Sequence, residues 1–352
     1  MEVTEFTAGE KAARELLERL DRRGKKPGTL LILTHDHPDP DGIASAWALA
    51  HLVHARCGAR TRIAYGGVIG RRENRMMVKS LAIPAHPLRK SDLECSWTAV
   101  VDSQPPFKNN RFPANRHPDI LIDHHPRSAR TQADFLLIDK TVGATSTILV
   151  EMLAAAGTRV PTRLATALVY GIGSETQNLG REAGPRDVSA YLAILPKANA
   201  KVLWRIVNPP RPTSFFQTIA RGIRNAFICR RTIGVHLREL PNPDRVALMA
   251  DFLLSHERMR WSIVTGRYNG RLHVSVRTNN PSEDAGRLLG ELLGGRHRGG
   301  GHRTMAGGSV VMGRGASEEK WRKAEEGVVS AFLKRCGAAD ASRRVHPFRV
   351  VA

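Results

Sequence analysis

The spacing of apolar residues changes period in a regular way along the first third of the chain. Residues 10–22 place Ala13, Leu16, Leu17 and Leu20 at intervals of three and four, the repeat of one helical face. After a Gly and Pro turn at 24–28, residues 29–34 form an apolar run without alternation, which suits a parallel strand covered on both faces. A helical pattern follows at 42–54. The order repeats, with strands at 61–65, 98–101 and 119–122 and a helix at 73–81, and such alternation predicts a parallel α/β sheet. Helical patterns dominate 143–208, with Pro161 and Pro185 where helices could begin.

A second run of elements starts at 232. It predicts a strand at 232–237, a helix at 244–255, a hairpin of strands 261–268 and 271–278 around Asn269-Gly270, and a helix at 282–293. A glycine-rich loop is expected at 294–308 and a loosely held tail from Cys336 onward. A chain of 352 residues with 41% hydrophobic composition can fill two cores. The expected division is a first domain over 1–190, a basic helical linker over 191–230, a second domain over 231–335 and a tail over 336–352. The linker stands out because no acid falls between Asp187 and Glu239, while Lys197, Lys201, Arg205, Arg211 and five further arginines do.

Charge narrows the partner. A formal net charge of +21 and a pI near 10.8 point to a polyanion, nucleic acid first, with a merely basic surface as the competing explanation. No apolar stretch approaches the roughly 20 residues that span a bilayer, so no membrane partner is expected. The acidic amino terminus lacks the order of a signal peptide, which predicts a cytoplasmic protein. Cys57, Cys95, Cys229 and Cys336 form no CxxC pair, which argues against a disulfide framework and a zinc cage. Trp47, Trp97, Trp204, Trp261 and Trp321 are expected in packing, and Phe215 or Phe216 in the core or stacked on a base.

The chemistry gathers at strand ends. His35-Asp36-His37-Pro38-Asp39-Pro40-Asp41 follows the first strand, where open α/β sheets place ligands. A helix cap would need one acid; three acids and two histidines stand here. Val101-Asp102 and Ile122-Asp123-His124-His125 end two further strands, and parallel neighbours bring such ends to one edge. Several carboxylates cannot share a site ionised without cations, and mixed carboxylate and imidazole donors suit manganese, magnesium, iron or zinc. Thr145 and Ser146 open a helix and are expected to cap it.

These residues resemble the DHH phosphoesterase family, named for the triplet that stands here as Asp123-His124-His125. His35, Asp39 and Asp41 match its first motif, Asp102 the second, and Gly171-Ile172-Gly173-Ser174-Glu175 the fourth. Arg298-Gly299-Gly300-Gly301-His302 resembles the signature of the accompanying DHHA1 domain. The resemblance implies a bilobed α/β protein with a central cleft, a parallel-sheet DHH domain and a smaller α/β DHHA1 domain. It implies one metal on His35, Asp39 and Asp102 and a second on Asp41, Asp102, His124 and Glu175, with Asp102 bridging. His125 would contact the substrate phosphate and Asp123 orient an imidazole, so Asp102, Asp123 and His125 are the expected catalytic residues. Arg277, Arg298, Gly299, Gly300, Gly301 and His302 would bind the substrate's anionic end.

The family usually has Asp where this chain has Glu175, and the added methylene, about 1.5 Å long, would shift or loosen the second metal. The expected cofactors are two divalent cations, manganese first and magnesium or another metal as alternatives. The expected activity is hydrolysis of short RNA or DNA oligonucleotides or linear dinucleotides to nucleoside monophosphates, with 3′,5′-bisphosphate nucleotides as further substrates. Alternatives are a nucleotide-sensing or nucleic-acid-binding protein with an impaired second metal site, a single-strand exonuclease, or a pyrophosphatase or polyphosphatase. A homodimer is left open.

Overall fold

The computed structural model describes residues 8–22, 24, 28–107, 109–280, 282–295, 298–301, 303–337 and 344–349. The chain forms two compact units, Met1–Pro209 and Pro210–Ala352. The first contains α1 (Ala8–Arg22), β1 (Thr29–Leu33), α2 (Pro40–Cys57), β2 (Arg60–Tyr65), α3 (Arg72–Leu81), β3 (Ala85–Pro87), β4 (Trp97–Val101), β5 (Ile120–Asp123) and β6 (Phe135–Ile138). Four helices complete it: α4 (Thr145–Ala155), α5 (Thr162–Glu175), α6 (Pro185–Ile194) and α7 (Ala200–Val207).

All strands of this unit run parallel, in the order β3-β2-β1-β4-β5-β6. β1 and β4 are neighbours in the sheet although two strands separate them in sequence, so the connections leave in opposite directions from this point. In open α/β sheets ligands bind beside such a point, at the carboxyl ends of the strands. β1 and β4 are buried along almost their whole length, which accounts for their unalternating apolar runs. Local chemistry sets the limits of α2: the Asp39 side chain caps it by accepting from Gly42 N at 2.9 Å, Pro40 takes the first turn, and Gly58 ends it in the left-handed region. β3 and β6, absent from the pattern reading, are edge strands of three and four residues, too short to show a period.

The second unit contains α8 (Thr213–Asn225), β7 (Phe227–Cys229), β8 (Thr232–Glu239), α9 (Asp244–Leu254), β9 (Trp261–Tyr268) and β10 (Arg271–Thr278). It continues with α10 (Ala285–Leu292), β11 (Gly299–Gly301), β12 (Met305–Val311) and α11 (Glu318–Arg335). Its sheet runs β11-β12-β10-β9-β8-β7 and is antiparallel except for β8 and β9, which α9 joins. The stretch 191–230 is not a bare connection: α7 belongs to the first unit, and α8 packs on β8 in the second.

Two expectations are corrected in this unit. The glycine-rich segment at 294–308 is not a plain loop, because Gly299–Gly301 pairs with β12. The chain after Cys336 is also partly tied down, since Val345 and Ile228 exchange backbone hydrogen bonds at 2.8 and 2.9 Å. α11, which the pattern reading did not include, carries a fully buried acid on its apolar face. Glu325 accepts from Arg267 Nε at 2.7 Å and Nη2 at 2.8 Å.

Candidate metal centre

Three strand ends of the first unit meet at one point. His35 follows β1, Asp102 follows β4, and Asp123 closes β5 with His124 and His125 after it. His35 Nε2 lies 3.5 Å from Asp39 Oδ2 and 3.7 Å from Asp102 Oδ2. On the other side of Asp102, its Oδ1 is 3.6 Å from His124 Nε2 and 3.9 Å from His125 Nδ1. Two groups therefore bring donor atoms within 4.8 Å of one another: His35, Asp39 and Asp102, and Asp102, His124 and His125. Asp102 is common to both. It adopts a φ of 57°, an unusual conformation for a residue with a side chain and one that recurs at functional positions.

Two glycines make the approach of the helices feasible. A Cβ on Gly42 would stand 3.1 Å from Asp102 Oδ2 and 3.4 Å from the His35 ring, so the bare first turn of α2 lets both side chains come in. A Cβ on Gly171 would meet Ser146 Oγ at 2.7 Å and Ala44 Cβ at 3.1 Å, so α5 can carry Glu175 past α2 and α4.

Asp41 and Glu175 reach the same neighbourhood by different routes. Asp41 is fully buried and accepts from the backbone N–H groups of Thr145 at 2.7 Å and Ser146 at 2.8 Å. It thus caps α4 from another helix, and the expectation that Thr145 or Ser146 would cap it is corrected. The Thr145 hydroxyl instead donates to Asp102 Oδ1 at 2.8 Å, and Ser146 Oγ pairs with Ser45 Oγ at 3.2 Å. Glu175, the last residue of α5, feels the charges of Asp39 and Asp41. Neither Asp41 nor Glu175 belongs to the two tight donor groups.

Crowding of acids shows in their proton affinities. Burial, then repulsion from Asp41 and Asp39, raises Asp102 well above the usual carboxyl range. Burial and Asp39 push Asp41 up to about 6, and burial with Asp39 and Asp41 raises Glu175. Burial works against a charge on His35, yet the Asp39 carboxylate overrides it and lifts the imidazole to about 9. Burial would also raise Asp39, but His35 holds it below the usual range. A protonated His35 is the positive charge this nest requires when no metal ion supplies one.

Asp123 shows a different balance. Its Oδ1 lies 2.8 Å from His125 Nδ1 and also accepts the His125 backbone N–H at 3.2 Å. Its Oδ2 accepts from Gln104 Nε2 at 2.7 Å. Burial opposes the charge, but His125 and Gln104 keep Asp123 below the usual carboxyl range, and Asp123 in turn raises His125 against its own burial. Gln104 is a residue the motif reading passed over. Its Oε1 accepts from Ser128 N at 2.9 Å and Thr131 Oγ1 at 2.7 Å, so one fully buried amide ties the Asp123 carboxylate to the segment after the triplet. Its place two residues after Asp102 was its one sequence signal.

The expected substrate residues of the second unit are described within that unit alone. Arg277 lies on β10, nearly buried, with Nε paired to Asp251 and Nη1 donating to Ser275 Oγ at 2.8 Å and Val276 O at 3.0 Å. Its Nε and Nη1 are thus held within the unit. Arg298 is exposed, Gly299, Gly300 and Gly301 form β11, and His302 lies outside the described residues.

The model of the DHH family, N-terminal domain, matches residues 29–172, the span from β1 through the triplet to α5. These residues are a DHH-family domain. An uncharacterized protein of Methanocaldococcus jannaschii is 35% identical over 300 residues, which cover 84% of this chain and 60% of that protein. The chain thus spans less than two thirds of that curated relative. Two solved structures resemble it in fold. An exopolyphosphatase-related protein from Bacteroides fragilis has a TM-score of 0.73 at 16% identity, over 93% of this chain and 97% of that one. RecJ in complex with Mn2+ from Thermus thermophilus has a TM-score of 0.51 at 15% identity, over 94% of this chain and 55% of RecJ. The acids and histidines of the DHH domain are a chemically suitable donor set for divalent cations, being nitrogen and oxygen ligands without a thiolate. No helix among the described residues is long and apolar enough to cross a membrane.

Proposed function

We propose that this chain is a two-cation phosphodiesterase that hydrolyses short oligonucleotides or linear dinucleotides to nucleoside monophosphates. Bisphosphate nucleotides are a further substrate class for the same site. Asp102 carries the reading, because one buried carboxylate belongs to both donor groups, as a side chain shared by two cations must. On this reading His35, Asp39 and Asp102 hold one cation. Asp102 and His124 hold the other, with Asp41 and Glu175 completing its surroundings. Two divalent cations supply Lewis acidity toward phosphoryl oxygens and activate water near neutral pH. Manganese is the first candidate, on the donor chemistry and on the Mn2+ that the RecJ structure carries.

The chain's own residues position the substrate. His125 holds a proton at Nδ1 against Asp123, and its raised proton affinity leaves the other ring nitrogen able to donate to a phosphate oxygen. Gln104 fixes Asp123 and so fixes the ring. In the second unit we assign the exposed Arg298, the amides of Gly299, Gly300 and Gly301, and His302 to the anionic end of the substrate. The net charge of +21 suits such a ligand.

The test is hydrolysis of a 5′-phosphorylated dinucleotide by metal-free protein supplied with manganese, beside Asp102→Ala and a long single strand. Manganese-dependent release of mononucleotides, lost in the variant and fastest on the dinucleotide, supports the reading. A second reading, a nucleotide-binding protein without turnover, is favoured by the hydrogen bonds that engage both Asp41 oxygens and by Glu175. Dinucleotide binding without turnover, unchanged by Glu175→Asp, would select it.

A further inference from the structure

The sequence placed Trp204 in packing, but the structure leaves it 65% exposed on α7, whereas Trp97, Trp261 and Trp321 are buried. Helical spacing puts Lys201 three residues before Trp204 and Arg205 four residues after Lys201, and both cations are exposed. With Ala200 these three residues line an open concavity of about 500 Å³. Val207, further along α7, is also exposed, while Ile206 alone of that helix is fully buried.

Charge decides what such a face can meet. No acid occurs between Asp187 and Glu239, so neither α7 nor the segments joined to it offer a carboxylate to neutralise Lys201 or Arg205. α7 packs against α3 and α5. α3 adds the exposed cations Arg72 and Lys79, and its N-cap residue Arg71 lies within electrostatic reach of Glu175, where α5 ends at the metal centre. An aromatic plane flanked by cations, on a helix packed against α3 and α5, has the chemistry of a single-strand platform: a base stacks on the indole while the backbone phosphates meet Lys and Arg.

We propose that the Trp204, Lys201 and Arg205 face of α7 is a docking platform for single-stranded nucleic acid. The proposal takes its ligand class from the phosphodiesterase reading and is tested by binding rather than turnover. A second copy of the chain would find its own cations there, and the like charge opposes that occupant.

The experiment uses the full chain with chelator present, so that hydrolysis cannot occur, and titrates a fluorescently labelled 20-nucleotide strand and a trinucleotide. The expected result is tighter binding of the 20-mer and a loss of about tenfold for Trp204→Ala, the size of one lost base stack. Trp204→Phe should recover part of the loss. Intrinsic tryptophan fluorescence should be quenched by the unlabelled 20-mer in the native protein and much less in Trp204→Phe. Lys201→Ala with Arg205→Ala should reduce the salt dependence of 20-mer binding by about 1.4 in log–log slope, two single-strand phosphate contacts. Equal 20-mer affinity in native protein and Trp204→Ala overturns the platform, as does a dimer in light scattering that Trp204→Ala separates. Because no step uses turnover, an inactive protein that still loses 20-mer binding with Trp204 would sink the phosphodiesterase reading alone.

Discussion

The carboxylate of Asp41 accepts the backbone N–H of Ser146 at 2.8 Å across 105 residues of chain. Two helices are joined through one acid, which satisfies donors that the start of α4 would otherwise leave open. Asp41→Ala should therefore lower the stability of metal-free protein by about 1–3 kcal/mol, the cost of buried donors left without partners. Urea unfolding in chelator checks it. An unchanged midpoint would mean that the cap contributes nothing.

Gln104 is expected to matter as a positioning residue. Gln104→Leu keeps the volume but strips Asp123 of a donor and Thr131 of an acceptor. If the proposed activity holds, its rate should fall about 10- to 100-fold, as when partners behind a metal site are removed. Comparing kcat of the variant across pH distinguishes this from simple unfolding, since a loosened Asp123 also lowers the proton affinity of His125 and moves the basic limb, where the donating form is lost, to lower pH.

Protons and cations should compete for the centre. His35 is lifted to about 9 and Asp41 to about 6 in the absence of metal, so cation binding must displace protons that the fold has gathered. Manganese affinity should rise with pH from about 6 to about 9. Isothermal titration in buffers of different ionisation enthalpy should show proton release, and a pH-independent affinity would contradict the nest.

The same acids set a pH dependence of stability. The folded pKa of Asp41, about 6, lies above the ordinary Asp value of about 3.9, and Asp102 and Glu175 are raised as well. Between those values the folded state binds more protons than the unfolded one, so this contribution is complete below about pH 4 and declines as pH climbs through about 6. His35 acts in the same direction at higher pH, its contribution being present below about 6.5 and lost through about 9. Metal-free protein should melt at lower temperature at pH 7 than at pH 5, by a gap that shrinks in Asp102→Asn, and manganese should narrow it as well.

Glu175→Gln removes a charge from among repelling acids. Metal-free Tm should rise while the weaker of two manganese affinities falls. Both effects come from a single calorimetric series, and a fall in Tm without any change in affinity would place Glu175 outside the centre.

The parallel sheet and its ligand-bearing ends were legible because β1 and β4 are covered on both faces and write their burial as unbroken apolar runs. Convergence of His35, Asp102 and Asp123 follows from that geometry alone. What stayed hidden was burial of polar groups. Glu325 breaks the apolar stripe of α11 because Arg267 pays for it inside the fold. Gln104 resembles any turn residue until its partners at 128 and 131 are in place. Asp41 reads equally well as a cap for its own helix, and only the tertiary fold shows that it serves α4.

The adjacency of β1 and β4 has a kinetic consequence. His35 and Asp102 stand 67 positions apart and meet only after the chain, having laid β2 and β3 on one side of β1, returns to place β4 on the other. Long-range parallel pairing of this kind is slow to form. A cation that needs both side chains finds no site on a partly assembled chain, so its capture during refolding would time the moment at which the sheet closes its register.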